Sequence, residues 1–322
     1  MISIGKVADR VKRGAQFLSR PSVRVIAAST WSRRMLNAVY LALTPSQRAL
    51  FHESFAKIFR NNRIQGRDGT WKVAFANKNI LMPLASETFW LDWDTAVSIV
   101  GHDIEVKQTY ESLLGLSSMK PDLFIDIGAN YGTHSVLFLV HGIRTITFEP
   151  NSSCRDYFSK ICGLNHLTPT LEGVALGAYN GHVELKYPKH ETWNGSTNIE
   201  IANKLSLSAQ LKVEKVEQKM LDDYFSEIEH HRTLIKIDTE GNELSVLEGA
   251  TRTLQEVHPM VIFECWPGNQ RTEIYDFLGS RNYSIHCLPW SSKSKAESLS
   301  SEQFCSSRST NFIAVPISKC DS

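Results

Sequence analysis

The chain has 322 residues, 42% of them hydrophobic and 21% charged, with a formal net charge of +1, enough to bury one substantial core plus an accessory layer. Its longest apolar stretch, 35–43, contains Asn37 and falls far short of the about 20 apolar residues that a membrane-spanning helix needs. The six cysteines show no Cys-x-x-Cys spacing in a chain too large to need disulfide staples, which points to a reducing compartment.

Residues 1–65 read as a basic helical extension. Its first 34 residues hold Lys6, Arg10, Lys12, Arg13, Arg20, Arg24, Arg33 and Arg34 against one acid, Asp9. Ile4, Val7, Val11, Phe17 and Leu18 alternate with them in a helix-compatible pattern. Three readings fit: a solvated helical extension, an arm that touches a membrane or other anionic surface, and an Arg- and Ser-rich targeting peptide. The localisation expected is cytoplasmic, with peripheral membrane contact through 1–34 as the added reading. Pro45 is a plausible start for a helix over 46–59. In a second segment, 66–119, Trp71-Lys72-Val73-Ala74-Phe75 and Ile80-Leu81-Met82 flank an Asn77-Lys78-Asn79 turn and read as a β-hairpin. Residues 89–114 then read as mostly helical.

The third segment, 120–322, carries the chemistry. Phe124-Ile125-Asp126-Ile127-Gly128-Ala129-Asn130-Tyr131-Gly132 is an apolar run ending in Asp and then a glycine-rich turn. Such a strand feeds a loop whose main chain can approach a ligand closely. The spacing is Gly-x-x-x-Gly, without the Gly-x-Gly-x-x-Gly of dinucleotide folds or a following Lys-Ser or Lys-Thr, so a phosphate ligand is disfavoured. After a helix over 133–140, the run Thr145-Ile146-Thr147-Phe148 closes on Glu149, 23 positions beyond Asp126. A carboxylate at that place in a β-α-β unit accepts hydrogen bonds from ribose hydroxyls. A nucleoside lacking a pyrophosphate fits both facts, and S-adenosylmethionine is the commonest of these.

A further acid-terminated strand follows in Leu234-Ile235-Lys236-Ile237-Asp238-Thr239-Glu240-Gly241-Asn242-Glu243, with Leu244, Leu247, Ala250 and Leu254 at helical spacing behind it. The blocks Asp126–Gly132, Phe148-Glu149-Pro150, Ile237–Glu243 and Val246-Leu247-Glu248-Gly249-Ala250 together resemble the signature of the FkbM family of S-adenosylmethionine-dependent methyltransferases. The similarity covers roughly 120–265. It implies a class I methyltransferase fold: an α/β, Rossmann-like, doubly wound and mostly parallel seven-stranded sheet, with one antiparallel strand near its end. It also implies O-methylation of a hydroxyl, often on a sugar or sugar-bearing metabolite. Thr239 and Asn242 depart from the family, which commonly has a branched apolar residue and a small residue there, and so they bear on substrate identity.

Further along, a helix is expected over 154–163 and strands over 173–176, 183–187, 212–216, 261–264, 283–288 and 312–315. Leu221-Asp222 resembles a step that the family has before its next core strand. The Ser- and Lys-rich stretch 291–301 reads as a surface loop. The Asn-x-Ser triplets at Asn151, Asn194 and Asn282 read as accidental, and His230 and His231 receive no role.

Ligands in open parallel sheets lie outside the carboxyl ends of the strands. Gly128, Ala129, Asn130 and Gly132 are therefore assigned to the methionine moiety, Glu149 to the ribose, and the segment with Ala175 and Leu176 to the adenine, while Asp126 orients the loop or the donor's amino group. Asp238 is the first choice of base, with Glu240 and His134 behind it; a helix-capping role for Asp238 is the alternative. Glu243, in a helix's first turn, reads as structural. No metal is expected, although Asp238 and Glu264 offer carboxylates that a hard cation accepts. Trp193 or Trp266 with Asn269 would line an acceptor pocket. The partner expected is a small-molecule or glycan acceptor and not nucleic acid, since the core lacks a basic-aromatic stripe; the sequence leaves the oligomeric state open. The rival functions are a non-catalytic nucleoside-binding module recruited by the basic arm and, behind it, a nicotinamide-dependent oxidoreductase.

Overall fold

The computed structural model describes residues 29–44, 46–48, 50–51, 69–84, 102–188, 211–293 and 297–317. The basic arm before residue 29, Trp193, Asn194, most of 46–59 and residues 89–101 of the expected helical segment 89–114 lie outside these. The chain divides into two compact units, 1–104 and 105–322.

In the first unit, helix α1 (Thr30–Ala42) is capped by Ser29, whose side chain accepts from Ser32 N. Strands β1 (Gly69–Phe75) and β2 (Lys78–Leu84) form the expected hairpin. The turn is Ala76-Asn77 and not Asn77-Lys78-Asn79, because Lys78 already pairs with Phe75 and both turn residues have left-handed φ, 41° and 64°. Such φ pairs match the twist of a two-residue hairpin. Along β1, Trp71, Val73 and Phe75 alternate inward, and helix α1 covers the strand through Asn37, which exchanges hydrogen bonds with Lys72, and Tyr40, whose hydroxyl accepts from Ala74 N at 2.9 Å.

The second unit opens with helix α2 (Ile104–Leu114) and the buried strand β3 (Leu123–Ile127). It continues through α3 (Thr133–Leu139), β4 (Arg144–Phe148), α4 (Ser152–Leu164), β5 (Thr170–Glu172), β6 (Ala175–Leu176), β7 (Gly181–Pro188) and β8 (Leu211–Lys219). A 3-10 turn (Leu221–Tyr224) and α5 (Phe225–Ile228) lead to β9 (Thr233–Ile237), α6 (Glu243–Glu248), α7 (Thr251–Glu256) and β10 (Met260–Glu264). Helix α8 (Arg271–Gly279), β11 (Tyr283–Cys287), α9 (Ser301–Ser306) and β12 (Asn311–Pro316) complete it.

Seven strands form one sheet in the order β11-β12-β10-β9-β3-β4-β5. The β10/β9, β9/β3, β3/β4 and β4/β5 pairs are parallel, and β12 runs antiparallel to both β10 and β11. This is the expected class I methyltransferase sheet. Its inner strands are apolar nearly throughout because both faces are covered: Ile125, Ile146, Ile235 and Ile262 are each at most 1% exposed, and burying such a side chain contributes about 1.5–3 kcal/mol.

The third core strand differs from expectation. It is β5 at 170–172, whereas the more apolar run at 173–176 yields only β6, which joins β8 and β7 in a separate three-stranded sheet. The periodic run 244–254 also breaks in two: Gly249 ends α6, and α7 starts anew because the Asp222 carboxylate takes the N–H groups of Arg252 and Thr253 at 2.8 and 2.9 Å. The five described cysteines are free thiols, and no described helix is long and apolar enough to cross a membrane.

Candidate active site

Strand β3 lies where the strand order reverses, with β4 and β5 on one side and β9 and β10 on the other. Open parallel sheets bind ligands at the carboxyl ends of strands beside such a point. A cleft of about 720 Å³, counted out to its open mouth, lies there. Four strand ends wall it: Ile127, Gly128 and Asn130 after β3, Phe148, Glu149, Pro150 and Asn151 after β4, Val174 to Leu176 after β5, and Asp238, Thr239, Glu240 and Asn242 after β9. Leu185 of β7 also reaches in.

The loop after β3 is shaped from its backbone outward. Gly128 has φ +72°, and a Cβ there would stand 1.9 Å from the carbonyl oxygen of Asp238. Only glycine lets the ends of β3 and β9 approach this closely. Gly132 begins α3 with φ +65°, and its missing Cβ leaves room for the Phe158 ring, 2.1 Å from where that atom would be. Gly132 and the buried Ala129 therefore hold the loop, whereas Gly128 and Asn130 face the cleft. Asp126 is fully buried and accepts from Ser135 N and Oγ at 3.0 and 2.8 Å, which ties β3 to the first turn of α3. Burial pushes its pKa up, and the Lys236 ammonium pulls it back. Its place is behind the loop, outside the cleft lining.

Glu149 lines the cleft and is 7% exposed. Its two oxygens accept from Asn130 N and Asn151 N, both at 2.7 Å, so one carboxylate joins the loops after β3 and β4. Burial raises its pKa to about 7 against those two hydrogen bonds and the Arg155 charge, which lower it. Asn151 in turn caps α4 through Ser153 N and is buried.

Across the cleft, Asp238 is bridged by Lys236 Nζ at 2.7 Å. Lys236 is 4% exposed and sits inside β9, in register with Asp126 on β3. Lys236 has no role in the sequence motifs described above. Its signal was a lysine in the middle of the apolar run Leu234-Ile235-Lys236-Ile237, since a buried lysine needs a partner. Asp238 does not cap the helix after it: Asn242 stands at that position. Glu243 accepts from Thr239 N, Thr239 Oγ1 and Gly241 N through one oxygen, so it shapes the turn that presents Asp238 and Glu240, as its structural reading required.

Glu240 lines the cleft with φ +53°. Its pKa is raised to about 7 by burial and then by the charges of Asp238 and Glu243. Glu264, at the end of β10, is raised to about 9 by burial and then by Asp238 and Glu240, and a hydrogen bond from the Trp266 indole opposes the rise. Asp238, Glu240 and Glu264 bring one oxygen each within 4.8 Å of one another, a spacing that a hard cation can bridge. His134 stands apart: its ring nitrogens lie 3.3 Å from Lys107 Nζ and 2.9 Å from the Tyr110 hydroxyl, where it fastens α2 to α3.

The donor set fits S-adenosylmethionine. The cleft walls bring together a buried carboxylate, Glu149, an apolar segment at 174–176, and the carboxylates of Asp238 and Glu240 rather than phosphate-binding groups. Residues 126–285 match the methyltransferase FkbM domain. The chain is 25% identical over 184 residues to the hexuronic acid methyltransferase AglP of Haloferax volcanii, covering 56% of this chain and 72% of that protein. It is 27% identical over 189 residues to the methyltransferase sdnD of Sordaria araneosa, covering 50% of this chain and 73% of that one. A crystal structure of methyltransferase FkbM from Methylobacillus flagellatus KT overlays with TM-score 0.39 at 16% identity. That overlay covers 72% of this chain but 56% of the other, so this chain spans little more than half of it, and the fold is read from the sheet order alone. The match of the domain to the very blocks that wall the cleft places the chain in the FkbM methyltransferase family, as an S-adenosylmethionine-dependent methyltransferase.

Proposed function

We propose that the protein O-methylates a hydroxyl group of a sugar or sugar-bearing metabolite, with Asp238 as the base. The observation that carries this reading is Asp238 itself: a carboxylate at the end of a core strand, on the cleft wall opposite Glu149, with its orientation fixed by Lys236 at 2.7 Å. S-adenosylmethionine supplies a methyl group already activated on a sulfonium. The residues have to hold the acceptor oxygen in line with that group and take its proton. Positioning supplies much of the rate, and a base adds about a hundred- to ten-thousand-fold.

In this reading Glu149 accepts from the ribose hydroxyls while keeping its two backbone N–H groups, since a carboxylate has more lone pairs than the two in use. Gly128 and Asn130 contact the methionine moiety through their backbone, and Ala175 and Leu176 cover the adenine. Asp126, Ala129 and Gly132 act one step back by shaping the loop. Asp238 receives the hydroxyl proton. Glu240 lies beside the sulfonium position, and His134 serves the fold. The name of the relative AglP, a hexuronic acid methyltransferase, supports a sugar acceptor.

Calorimetric titration of S-adenosylmethionine and S-adenosylhomocysteine, with a nicotinamide dinucleotide as control, tests the donor half. The wild type is expected to bind both adenosyl ligands, and Glu149→Ala to bind them about 10- to 100-fold more weakly, the cost of hydrogen bonds to a charged acceptor. Glu149→Gln, whose amide oxygen still accepts from one loop, separates ligand loss from loop loss. Unchanged affinity in both variants would move the ribose elsewhere. A screen of glycosides for methyl transfer tests the acceptor half.

A further inference from the structure

The cleft as described holds the donor; what receives the acceptor has to lie beside Asp238 and outside the donor's footprint. Trp266 is the candidate. It is 51% exposed and stands two residues after the carboxylate residue Glu264. That carboxylate in turn stands within 4.8 Å of those of Asp238 and Glu240. An exposed tryptophan so close in the chain to a carboxylate of the reaction centre has part of its ring surface free for a ligand.

The loop beneath it is locked. Cys265 N donates to Thr310 O at 2.6 Å, Cys265 Sγ to Asn269 O at 3.1 Å, and Asn269 N to Trp266 O at 3.1 Å. Arg271, 4% exposed, anchors both flanks by donating to the carbonyls of Cys265, Phe304, Ser307 and Ser309 at 2.6–2.8 Å. On a backbone this firmly held, only the two side-chain torsions of the tryptophan have to be fixed when a ring binds, a small cost that suits a stacking platform.

Charge then limits what the platform can take. No lysine, arginine or histidine is among the described residues that line the cleft. Two cations bonded to wall residues have acceptors already: Lys236 bridges Asp238, and Arg155 donates to the carbonyls of Glu149 and Pro150. An acid group on the acceptor would face the Asp238 carboxylate with no cation among the described lining residues left to pair with it, and like charges at such range repel. We propose that Trp266 is the acceptor platform of this enzyme and that the ring stacked on it is a hexose carrying no acidic group. This rests on the reading of the protein as a sugar O-methyltransferase and narrows it. The relative AglP is named for a hexuronic acid, so the inference sets this chain apart from that protein.

The test uses the full chain saturated with S-adenosylhomocysteine in the presence of EDTA. Methyl glycosides of glucose, galactose and mannose are titrated against the matching methyl glucuronide and galacturonide, with tryptophan fluorescence and calorimetry as readouts. At least one neutral glycoside is expected to bind tenfold or more tightly than any uronide. Trp266→Ala is expected to lose that binding at least tenfold with S-adenosylhomocysteine affinity within about twofold of wild type, and Trp266→Tyr to keep part of it. A uronide binding as tightly as the neutral sugars, or glycoside binding unchanged in Trp266→Ala, overturns the proposal while leaving a sugar acceptor standing. Retained S-adenosylhomocysteine binding with no glycoside of either kind bound overturns the sugar reading with it. If Trp266→Ala no longer binds S-adenosylhomocysteine, Trp266→Tyr and the wild-type preference for neutral rings decide.

Discussion

At the β4 end of the cleft, Glu149 has both carboxylate oxygens taken by backbone N–H groups at 2.7 Å. At the β9 end, Asp238, Glu240 and Glu264 crowd within 4.8 Å of one another, and the Lys236 ammonium bridges one of them. Glu149 and Glu240 are both raised to about 7, and burial is the largest cause for each. The secondary causes have opposite sign: fixed dipoles lower the first, and neighbouring carboxylates raise the second. One end is thus built to keep its geometry whether or not a ligand is present. The other crowds acids that are pushed toward their neutral forms and whose charged forms a cationic donor bound beside them would favour, which is where a charge-transferring step belongs.

The largest effect expected from breaking this asymmetry is at Asp238. Asp238→Asn keeps the shape and removes the base, so kcat should fall about 10²- to 10⁴-fold while the affinity for S-adenosylhomocysteine stays within about threefold. Single-turnover methyl transfer with a saturating acceptor measures it. A kcat within fivefold of wild type would move proton removal to Glu240 or to solvent.

Next in size is the joint between the two ends. Gly128 lets β3 and β9 meet, and Gly128→Ala sets a methyl group against the Asp238 carbonyl at a position with φ +72°. The left-handed backbone costs an L-residue about 1 kcal/mol or more and the overlap about 1–3 kcal/mol, so a loss of about 3 kcal/mol is expected in denaturant unfolding. An unfolding free energy unchanged to within about 0.5 kcal/mol would show that the loop relaxes freely and that the close approach is not required.

These two ends were legible in the sequence to different degrees, for physical reasons. Asp126, Glu149 and Asp238 each end an apolar run, and a run followed by an acid is a local signal. The glycine spacing around Asn130 is equally local. The split inside that loop was not legible: Ala129 and Gly132 face the protein because of Phe158 on α4 and the Phe148 carbonyl on β4, partners 19 or more positions away. Lys236 was legible in principle as a charge in a buried strand, though only the paired structure shows Asp238 as its partner. Strand β5 was missed because three residues at the sheet edge, Thr170–Glu172, carry less apolar signal than the 174–176 segment beyond them. Leu185 enters the cleft from the separate three-stranded sheet, and no local pattern announces that.

The smallest effect is the most specific to the β9 end, and its sign follows from linkage. A carboxyl whose folded pKa is raised is favoured in its neutral form by folding. Its contribution to stability is therefore full below the ordinary glutamate value and is lost as pH rises through the folded one. For Glu240 that window runs from its ordinary value of 4.5 to about 7, so the ligand-free protein should lose thermal stability from Glu240 as pH climbs through it. A sulfonium beside Glu240 favours the charged form, so binding S-adenosylmethionine below pH 7 releases a proton that binding S-adenosylhomocysteine, which has no sulfonium, does not. The ratio of the two affinities should then rise in favour of S-adenosylmethionine up to about pH 7, by at most tenfold per pH unit, and level off above it. Glu240→Gln should flatten the rise, because a neutral amide has no proton to give up. Glu149, held by dipoles at the far end, gives the two ligands no such difference, so Glu149→Gln should leave the slope intact. A slope equal in wild type and Glu240→Gln would place the sulfonium away from Glu240 and leave the crowding at the β9 end to serve the acceptor instead.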